Sequence, residues 1–501
     1  MRYLRIIIPF AILLTGLYYA WHLRWVSEDA YISFRYARNL IEGHGLVFNP
    51  GEKVEGYTNF LWTLFLAAGL AVKLTPEMIS FTLGLFCSAL TLTGLLVLHR
   101  FLFREKAVLP AAVLALALNY TWASFSTSGL ETSALGLWMT GIYLLLFLWT
   151  SHRKKLQNNG LFPVYIGCVL ALAMMTRPDA ALMFPCIVLF VVLQRPKRRE
   201  ALAVLAAISL SLLFLYLPYF LWRYSYYGYF FPNTYYAKSA NLANYGQGLI
   251  YLWEFLHRYF LWAFLPPALF TAFRAVRRRS CDPIFVTMTA FCLIYTFYAV
   301  RVGGDFMEGR FFVPILPFVY LLVERSIRQL SRSRLIVGVI LTILLVSTAS
   351  DRQLIAPRKI TNGITDERSW APVFALWYAE GLAFGRHLPA GTVIATDAVG
   401  AFGYGSGLPI IDTLGLTDTT VAHQPLSARS RPGHEKSASP GYLKRRSTAL
   451  YRDGVNMYRF DRQPDFEMAG NRYFLVSADS TVVRGFHRAV AELQMPGESS
   501  R

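Results

Sequence analysis

The chain has 501 residues, of which 55% are hydrophobic, 15% aromatic and only 16% charged, and its mean hydropathy is +0.38. Soluble proteins carry about 25% charged residues, so this chain has too little polar surface to stay in water and reads as a polytopic membrane protein. The net charge of +19 does not imply nucleic acid: residues 1–350 hold 31 Lys+Arg against 15 Asp+Glu, which leaves 18 against 15 for residues 351–501. The surplus lies in clusters between apolar runs rather than along one face.

In chain order, runs suited to crossing a bilayer as helices fall near 4–22, 78–98, 107–125, 132–150, 161–176, 179–193, 201–222, 251–273, 283–300, 311–324 and 335–350. The first lacks a small-residue cleavage site after it and is expected to stay as an uncleaved span. A further apolar stretch, 59–72, is decided by the basic clusters. These are Arg2/Arg5, Arg100/Arg104/Lys106, Arg153/Lys154/Lys155, Arg195/Lys197/Arg198/Arg199, Arg274/Arg277/Arg278/Arg279 and Arg325/Arg328/Arg332/Arg334. Successive clusters are two runs apart throughout, provided 59–72 does not cross. The positive-inside rule then puts all six in the cytoplasm. The reading is eleven spans, with 59–72 a juxtamembrane or re-entrant helix in a long first external loop. An odd count puts residues 351–501 outside, together with Glu28, Asp29, Glu131, Asp179, Asp305 and Glu308.

Apolar runs stop near Asp351, so the domains are read as a membrane domain at 1–350 and a small α/β domain at 351–501. In the latter, 371–388 has helical spacing, and 391–397 and 408–412 read as strands joined by a glycine-rich turn. Residues 429–440, rich in Ser, Pro and charge, read as a surface loop. The five cysteines (Cys87, Cys168, Cys186, Cys281, Cys292) have no disulfide or metal-type spacing. His44 and His434 lack helical metal-ligand spacing, and Gly403-Tyr-Gly-Ser-Gly lacks the Lys-Ser/Thr of a phosphate loop.

The first loop carries the chemistry. Adjacent Glu28 and Asp29, just beyond the first span, are costly so near hydrocarbon unless they serve something. A carboxylate there is suited to taking a proton from a sugar hydroxyl or to binding a cation. The alternative is that Asp29 caps a helix over 30–40. The six tyrosines from Tyr224 to Tyr236, with Tyr219 before them, read as a headgroup belt; the alternatives are a groove for an isoprenoid chain or a stacking face for sugar.

The string Glu28-Asp-Ala-Tyr-Ile-Ser-Phe-Arg-Tyr-Ala-Arg-Asn-Leu40, followed by Gly43-His-Gly-Leu-Val-Phe-Asn-Pro-Gly51 and Val54-Glu-Gly-Tyr-Thr-Asn59, resembles the GT-C superfamily of integral membrane glycosyltransferases. Within it, the resemblance is to the terminal arabinofuranosyltransferases of bacterial cell-wall synthesis. It continues through Ser128-Gly-Leu-Glu-Thr132, Thr176-Arg-Pro-Asp179, Pro232-Asn-Thr-Tyr-Tyr-Ala-Lys238, Gly303-Gly-Asp305, Arg310-Phe311, Asp397-Ala-Val-Gly400 and Ile411-Asp-Thr-Leu-Gly-Leu-Thr-Asp418.

The resemblance implies an all-α GT-C membrane domain plus an extracytoplasmic C-terminal domain in a bacterial inner membrane. It implies transfer of a sugar, D-arabinofuranose, from a polyprenyl-phosphate donor to a glycan, lipid or protein acceptor on the external face. The acidic pair of the first loop is the catalytic signature; Glu28-Asp29 stands where many relatives have Asp-Asp, which favours Asp29 as the catalytic residue, with Glu28 beside it. A departing lipid phosphate needs cations, for which Arg310, Lys238 and Arg177 are candidates. Glu131, Asp179 and Asp305 are read as sugar ligands, orienting groups for those cations, or simple salt-bridge partners. Tyr57, Asn59 and Asn233 are read as sugar ligands or helix caps. No metal or other cofactor is predicted, although a divalent cation near Glu28 and Asp29 is compatible with the residue types. The alternatives are transfer of another sugar such as a hexose, a lipid-linked-sugar flippase, or a non-catalytic scaffold. The spans mostly lack central charges and the chain lacks related halves, which disfavours a flippase.

Overall fold

The computed structural model describes residues 3–103, 109–151, 161–277, 282–330, 333–349, 364–426, 433–454 and 462–495. Arg2, Arg104, Lys106, Arg153, Lys154, Lys155, Arg278, Arg279, Cys281, Arg332, the start of the C-terminal part at 351–363 and the 429–432 part of the surface loop lie outside the described residues.

Helices fall on all eleven apolar runs. In chain order they are α1 (Leu4–His22), α2 (Glu28–Ile41), α3 (Phe60–Ala71), α4 (Pro76–Phe103), α5 (Ala111–Leu118), α6 (Tyr120–Phe125), α7 (Thr132–Ser151), α8 (Leu161–Thr176), α9 (Met183–Leu193), α10 (Arg198–Tyr227), α11 (Asn233–Ala237), α12 (Tyr245–Arg258), α13 (Leu261–Arg277), α14 (Pro283–Arg301), α15 (Leu316–Leu330) and α16 (Arg334–Ala349). Among the described residues, α4, α7, α10 and α14 are long and apolar enough to cross a membrane. The 28 residues of α4 extend about 42 Å at 1.5 Å per residue. The 12 residues of α3 reach only about 18 Å.

Two runs expected to be continuous are broken. The run 251–273 is split between α12 and α13 at Tyr259–Phe260, where Phe260 takes a left-handed backbone at φ 53°. Tyr259 is anchored there, its hydroxyl accepting the Thr121 N–H at 3.0 Å and lying 2.6 Å from the Thr121 hydroxyl. The run 107–125 is split between α5 and α6 at Asn119, which leaves helical geometry (ψ 121°) to cap α6, its side chain accepting the Trp122 N–H at 2.8 Å. In both places a tertiary or capping hydrogen bond overrides apolar continuity.

Contacts divide the chain into two compact units. The first gathers Met1–Arg24, Ser80–Trp222 and Ala243–Asp366; the second gathers Trp25–Ile79, Arg223–Leu242 and Glu367–Arg501. The first loop and the tyrosine-rich segment from the last turn of α10 onward therefore pack with the C-terminal part, a grouping different from a single cut at residue 350.

In the first unit, α15 packs against α5, α13 and α14, and α7 against α8. Gly167 of α8 permits backbone contact with α10: a Cβ there would lie 2.3 Å from the Ile208 carbonyl oxygen. Buried Glu324 of α15 ties this bundle together, accepting the Ala112 N–H at 2.7 Å and contacting His99 at 3.1 Å and Arg328.

The second unit is built on a five-stranded sheet of order β2-β1-β3-β5-β4, with β1 (Ile394–Thr396), β2 (Ile410–Asp412), β3 (Leu450–Asp453), β4 (Phe466–Met468) and β5 (Asn471–Leu475). β1 pairs parallel with β2 and β3, aligning Ile394 with Ile410 and with Leu450; β5 pairs antiparallel with β3 and β4. Helices α17 (Ala371–His387), α18 (Ala401–Ser406) and α21 (Ser480–Gln494) accompany the sheet, with the short α19 (Thr419–Ala422) and α20 (Pro440–Arg445) between strands. The core joins Phe384, Phe402, Tyr473 and Phe486 to Ile32, Tyr36, Phe48, Tyr57 and Tyr227 from the other two segments.

The glycine-rich link between β1 and β2 is a helix, α18, where a turn was expected. Its glycines serve close packing: a Cβ on Gly405 would meet the Tyr378 carbonyl oxygen at 2.5 Å, and one on Gly381 of α17 would meet that of Phe402 at 2.3 Å. The turn falls one residue after the helix, at Gly407, whose φ is +63°.

Candidate active site

The acidic pair opens α2. Ser27 is the N-cap residue, and Glu28 and Asp29 occupy the first turn. Asp29 therefore does not cap a helix beginning at Ala30. It lies where the helix dipole favours a negative charge, and both side chains are partly buried. One carboxylate oxygen of Glu28 accepts the N–H groups of Gly400 and, at 3.3 Å, Ala401. Burial, and then the neighbouring charge of Asp29, push the Glu28 carboxyl up to about 8, and the two amide hydrogen bonds only partly oppose them.

Further along α2, Arg35 is buried with its whole fork engaged. Nε donates to the Phe48 carbonyl at 2.7 Å, Nη1 to Gly403 at 2.6 Å, and Nη2 to Leu408 at 2.7 Å and to Asn49 Oδ1 at 3.1 Å. Arg38 donates to the Tyr404 carbonyl at 2.9 Å. These two arginines were not singled out in the sequence, although both stand in the string that carries the resemblance.

The other candidates of this unit are interior groups. Tyr57 is buried between Tyr36 and Tyr227, its hydroxyl 3.2 Å from that of Tyr227. Asn59 exchanges hydrogen bonds with Ser33 at 3.0–3.2 Å at the start of α3. Asn233 donates to the carbonyls of Gly415 and Leu416 at 2.8 and 2.9 Å. Glu55 pairs with Arg223 at 2.8 Å, and burial pushes its carboxyl up to about 7. Lys238 is half-buried, 3.5 Å from where a Cβ on Gly433 would lie. Asp412 accepts the N–H groups of Leu414, Gly415 and Thr417, and Asp418 caps α19. A further buried cation, Arg452, pairs with Glu380 at 3.0 Å and donates to the Tyr473 hydroxyl at 3.0 Å.

The first unit holds the remaining five candidates and brings them together. Arg177 precedes Pro178 and is held extended at φ −153°. Its guanidinium takes Asp179 in a fork (3.0 Å from Nε and from Nη2) and Glu131 at 2.9 Å. Tyr295 donates to Asp179 at 2.7 Å. Arg310 pairs with Asp305, whose other oxygen accepts the Phe306 N–H at 2.9 Å. Both guanidiniums lie by one ring, Phe311, at 5.5 and 5.8 Å from its centre.

The loop carrying Arg310 wraps Tyr251, whose hydroxyl donates to the Met307 carbonyl at 3.0 Å and accepts the Phe311 N–H at 3.2 Å. Gly304 is at φ +71°, and a Cβ on it would strike that ring at 2.3 Å. Glu308 pairs with Arg258 at 2.6 Å in the same loop. Glu131, Asp179 and Asp305 are thus the ion-pair partners of the two arginines. Among the described residues no three His, Cys, Asp or Glu side chains gather as a metal site.

In fold and in sequence the chain is similar to GT-C glycosyltransferases. ArnT from Cupriavidus metallidurans, solved with undecaprenyl phosphate, matches with a TM-score of 0.60 at 12% identity, over 95% of this chain and 98% of that one. The archaeal oligosaccharyltransferase AglB from Archaeoglobus fulgidus, solved with an inhibitory peptide and a dolichol-phosphate, matches at 0.57 and 11% identity, over 90% of this chain and 69% of that one. At these identities the likeness is one of fold.

Sequence similarity is more specific. The terminal β-(1→2)-arabinofuranosyltransferase of Corynebacterium glutamicum is 32% identical over 341 residues, 61% of this chain and 48% of that protein. The enzyme of the same name from Mycobacterium tuberculosis is 28% identical over 322 residues, 58% of this chain and 51% of that protein. The chain spans about half the length of the curated relatives it matches. Residues 370–491 also match a family model described as a domain of unknown function, DUF8728.

Proposed function

We propose that the protein is a membrane glycosyltransferase that moves D-arabinofuranose from a polyprenyl-phosphate donor to a glycan acceptor at the outer face of a bacterial inner membrane. The observation that carries this reading is the 32% identity to an arabinofuranosyltransferase in a chain whose acidic pair opens the helix that follows the first apolar span. In this reading the eleven apolar runs cross, the basic clusters face the cytoplasm, and α3 stays at the membrane surface.

Asp29 is the base. It takes the proton of an acceptor hydroxyl as that oxygen bonds to the anomeric carbon; the bond from that carbon to the phosphate oxygen breaks, and the electron pair leaves with the polyprenyl phosphate. A leaving phosphate gains from fixed cations. Arg177 and Arg310 are the candidates whose planar forks suit it, already oriented by Glu131, Asp179 and Asp305; Lys238 is a third. Sugar contacts by Tyr57, Asn59 and Asn233 belong to the same proposal.

The test is native mass spectrometry of the protein gently extracted from its own membranes, followed by a transfer assay with the lipid found. A co-purified polyprenyl phosphate carrying a pentose supports the reading. A hexose keeps the reaction and replaces the sugar. Bound phospholipid alone, with no transfer from a synthetic polyprenyl-phosphoryl arabinose, overturns it.

A further inference from the structure

Glu28, Arg35 and Arg38 stand at i, i+7 and i+10 on α2, positions that share one helix face. All three reach the same short helix, α18. Glu28 accepts the N–H groups of Gly400 and Ala401 at its start, while Arg35 and Arg38 donate to the carbonyls of Gly403 and Tyr404 in its last turn. The first N–H groups of a helix lack intrahelical partners, and α2 supplies side chains to both ends of α18. The contact at the start is main chain against main chain. A Cβ on Gly400 would lie 2.1 Å from the Glu28 carbonyl oxygen and 2.7 Å from its carboxylate oxygen, so only glycine lets the 399–401 turn close on Glu28.

We infer that Glu28 is a positioning residue, through which the turn following β1 fixes the first turn of α2 and with it the neighbouring Asp29. The inference rests on the reading of Asp29 as the base. The two carboxyls of the acidic pair then differ in role. That of Glu28 holds the protein's own backbone, and that of Asp29 serves as the base. The high proton affinity of Glu28 agrees, since a base must be ionised to act, whereas a protonated carboxyl keeps an oxygen that accepts N–H bonds, more weakly than the anion does. What Glu28 must supply is an oxygen at the right reach, not a charge.

Three substitutions in the full chain separate these demands, assayed with synthetic polyprenyl-phosphoryl arabinose and an arabinan oligosaccharide. Glu28→Gln keeps the reach and loses the titratable carboxyl; it retains kcat within about threefold. Glu28→Asp keeps a carboxyl and loses the reach; its kcat falls about 100-fold, with the donor KM within about threefold of wild type, the scale expected of a misplaced base. Gly400→Ala leaves both carboxyls intact and falls like Glu28→Asp.

Amide hydrogen exchange at Gly400 and Ala401 reports the grip without turnover: protection survives in Glu28→Gln and is lost in Glu28→Asp. If Glu28→Gln is as inactive as Glu28→Asp, or if Glu28→Asp and Gly400→Ala turn over like wild type, the inference is overturned. Asp29→Asn, run alongside, tells the failures apart. If it retains transfer, the assignment of Asp29 has failed; if it is inactive together with Glu28→Gln, only the positioning role has.

Discussion

Replacing Arg35 by Met removes four hydrogen bonds from the interior of the second unit while keeping most of the side-chain volume. The losses are unequal. The Phe48 carbonyl keeps Asn39 as a donor at 3.0 Å, and that of Gly403 keeps the Gly407 N–H at 3.1 Å. Among the described residues, the Leu408 carbonyl keeps no second donor. Hydrogen bonds to a charged group contribute about 1.5–3 kcal/mol each, so four amount to about 6–12 kcal/mol. Against this stands the cost of burying a guanidinium that no carboxylate pairs with among the described residues, several kcal/mol. Burial pulls the Arg35 guanidinium down to about 9, which marks the same cost.

The balance predicts a loss of about 3–5 kcal/mol, and at about 2–4 °C per kcal/mol for a unit of this size, a fall in melting temperature of about 6–20 °C. Thermal unfolding in detergent, followed by protease sensitivity of the C-terminal part, reads it out. Arg35→Lys tests the geometry, because one ammonium cannot span four acceptors arranged for a fork; it loses most of the same stability. A Met variant melting within about 2 °C of wild type, or a Lys variant indistinguishable from wild type, would refute the reasoning.

Three more outcomes follow. Because its proton affinity is raised, the stability Glu28 contributes is fully present below its ordinary value of 4.5 and is lost as pH rises through about 8; the melting temperature of Glu28→Gln relative to wild type should rise between pH 5 and pH 9, and a flat difference would contradict this. Arg177→Met leaves Asp179 and Glu131 buried without their cation and should cost about 3–5 kcal/mol, measured by thermal unfolding; adding Asp179→Asn and Glu131→Gln should recover at least about half of it, since the penalty is mostly unpaired charge. Gly56→Ala should destabilise the second unit by about 1–3 kcal/mol, because its Cβ would lie 2.6 Å from Thr417 Cγ2 and 3.0 Å from the Leu416 carbonyl oxygen; unchanged protease resistance would argue against that packing.

Apolar runs announce themselves, so helices were placed wherever hydrophobicity was continuous. The breaks at Asn119 and Tyr259–Phe260 were invisible because they depend on hydrogen bonds made locally by a cap or across the fold by Thr121. Glycines 403 and 405 read as a turn because glycine in isolation signals freedom; here Gly405 marks a backbone pressed against that of α17, and Gly403 makes room for the side chains of Arg35 and Phe48. The Glu28-Asp29 pair stood out through its unusual place beside an apolar run and its resemblance to a family signature. The different situations of its two members did not, since the amides gripping Glu28 come from Gly400 and Ala401, 372 and 373 residues away. Arg35 looked like an ordinary helical arginine for the same reason: its decisive partners, Gly403 and Leu408, are as distant in sequence.

That distance has a consequence for how the chain is made. Arg35 and the Gly403 carbonyl are 368 residues apart, which at about 5–20 residues per second of synthesis is about 20–75 s. Throughout that interval a guanidinium destined for the interior has none of its late-arriving acceptors, and α2 has only its own neighbours to pack against. The second unit is thus completed by the last quarter or so of the chain, and a ribosome that stalls before α18 leaves a product in which Glu28 lacks the Gly400 and Ala401 amides.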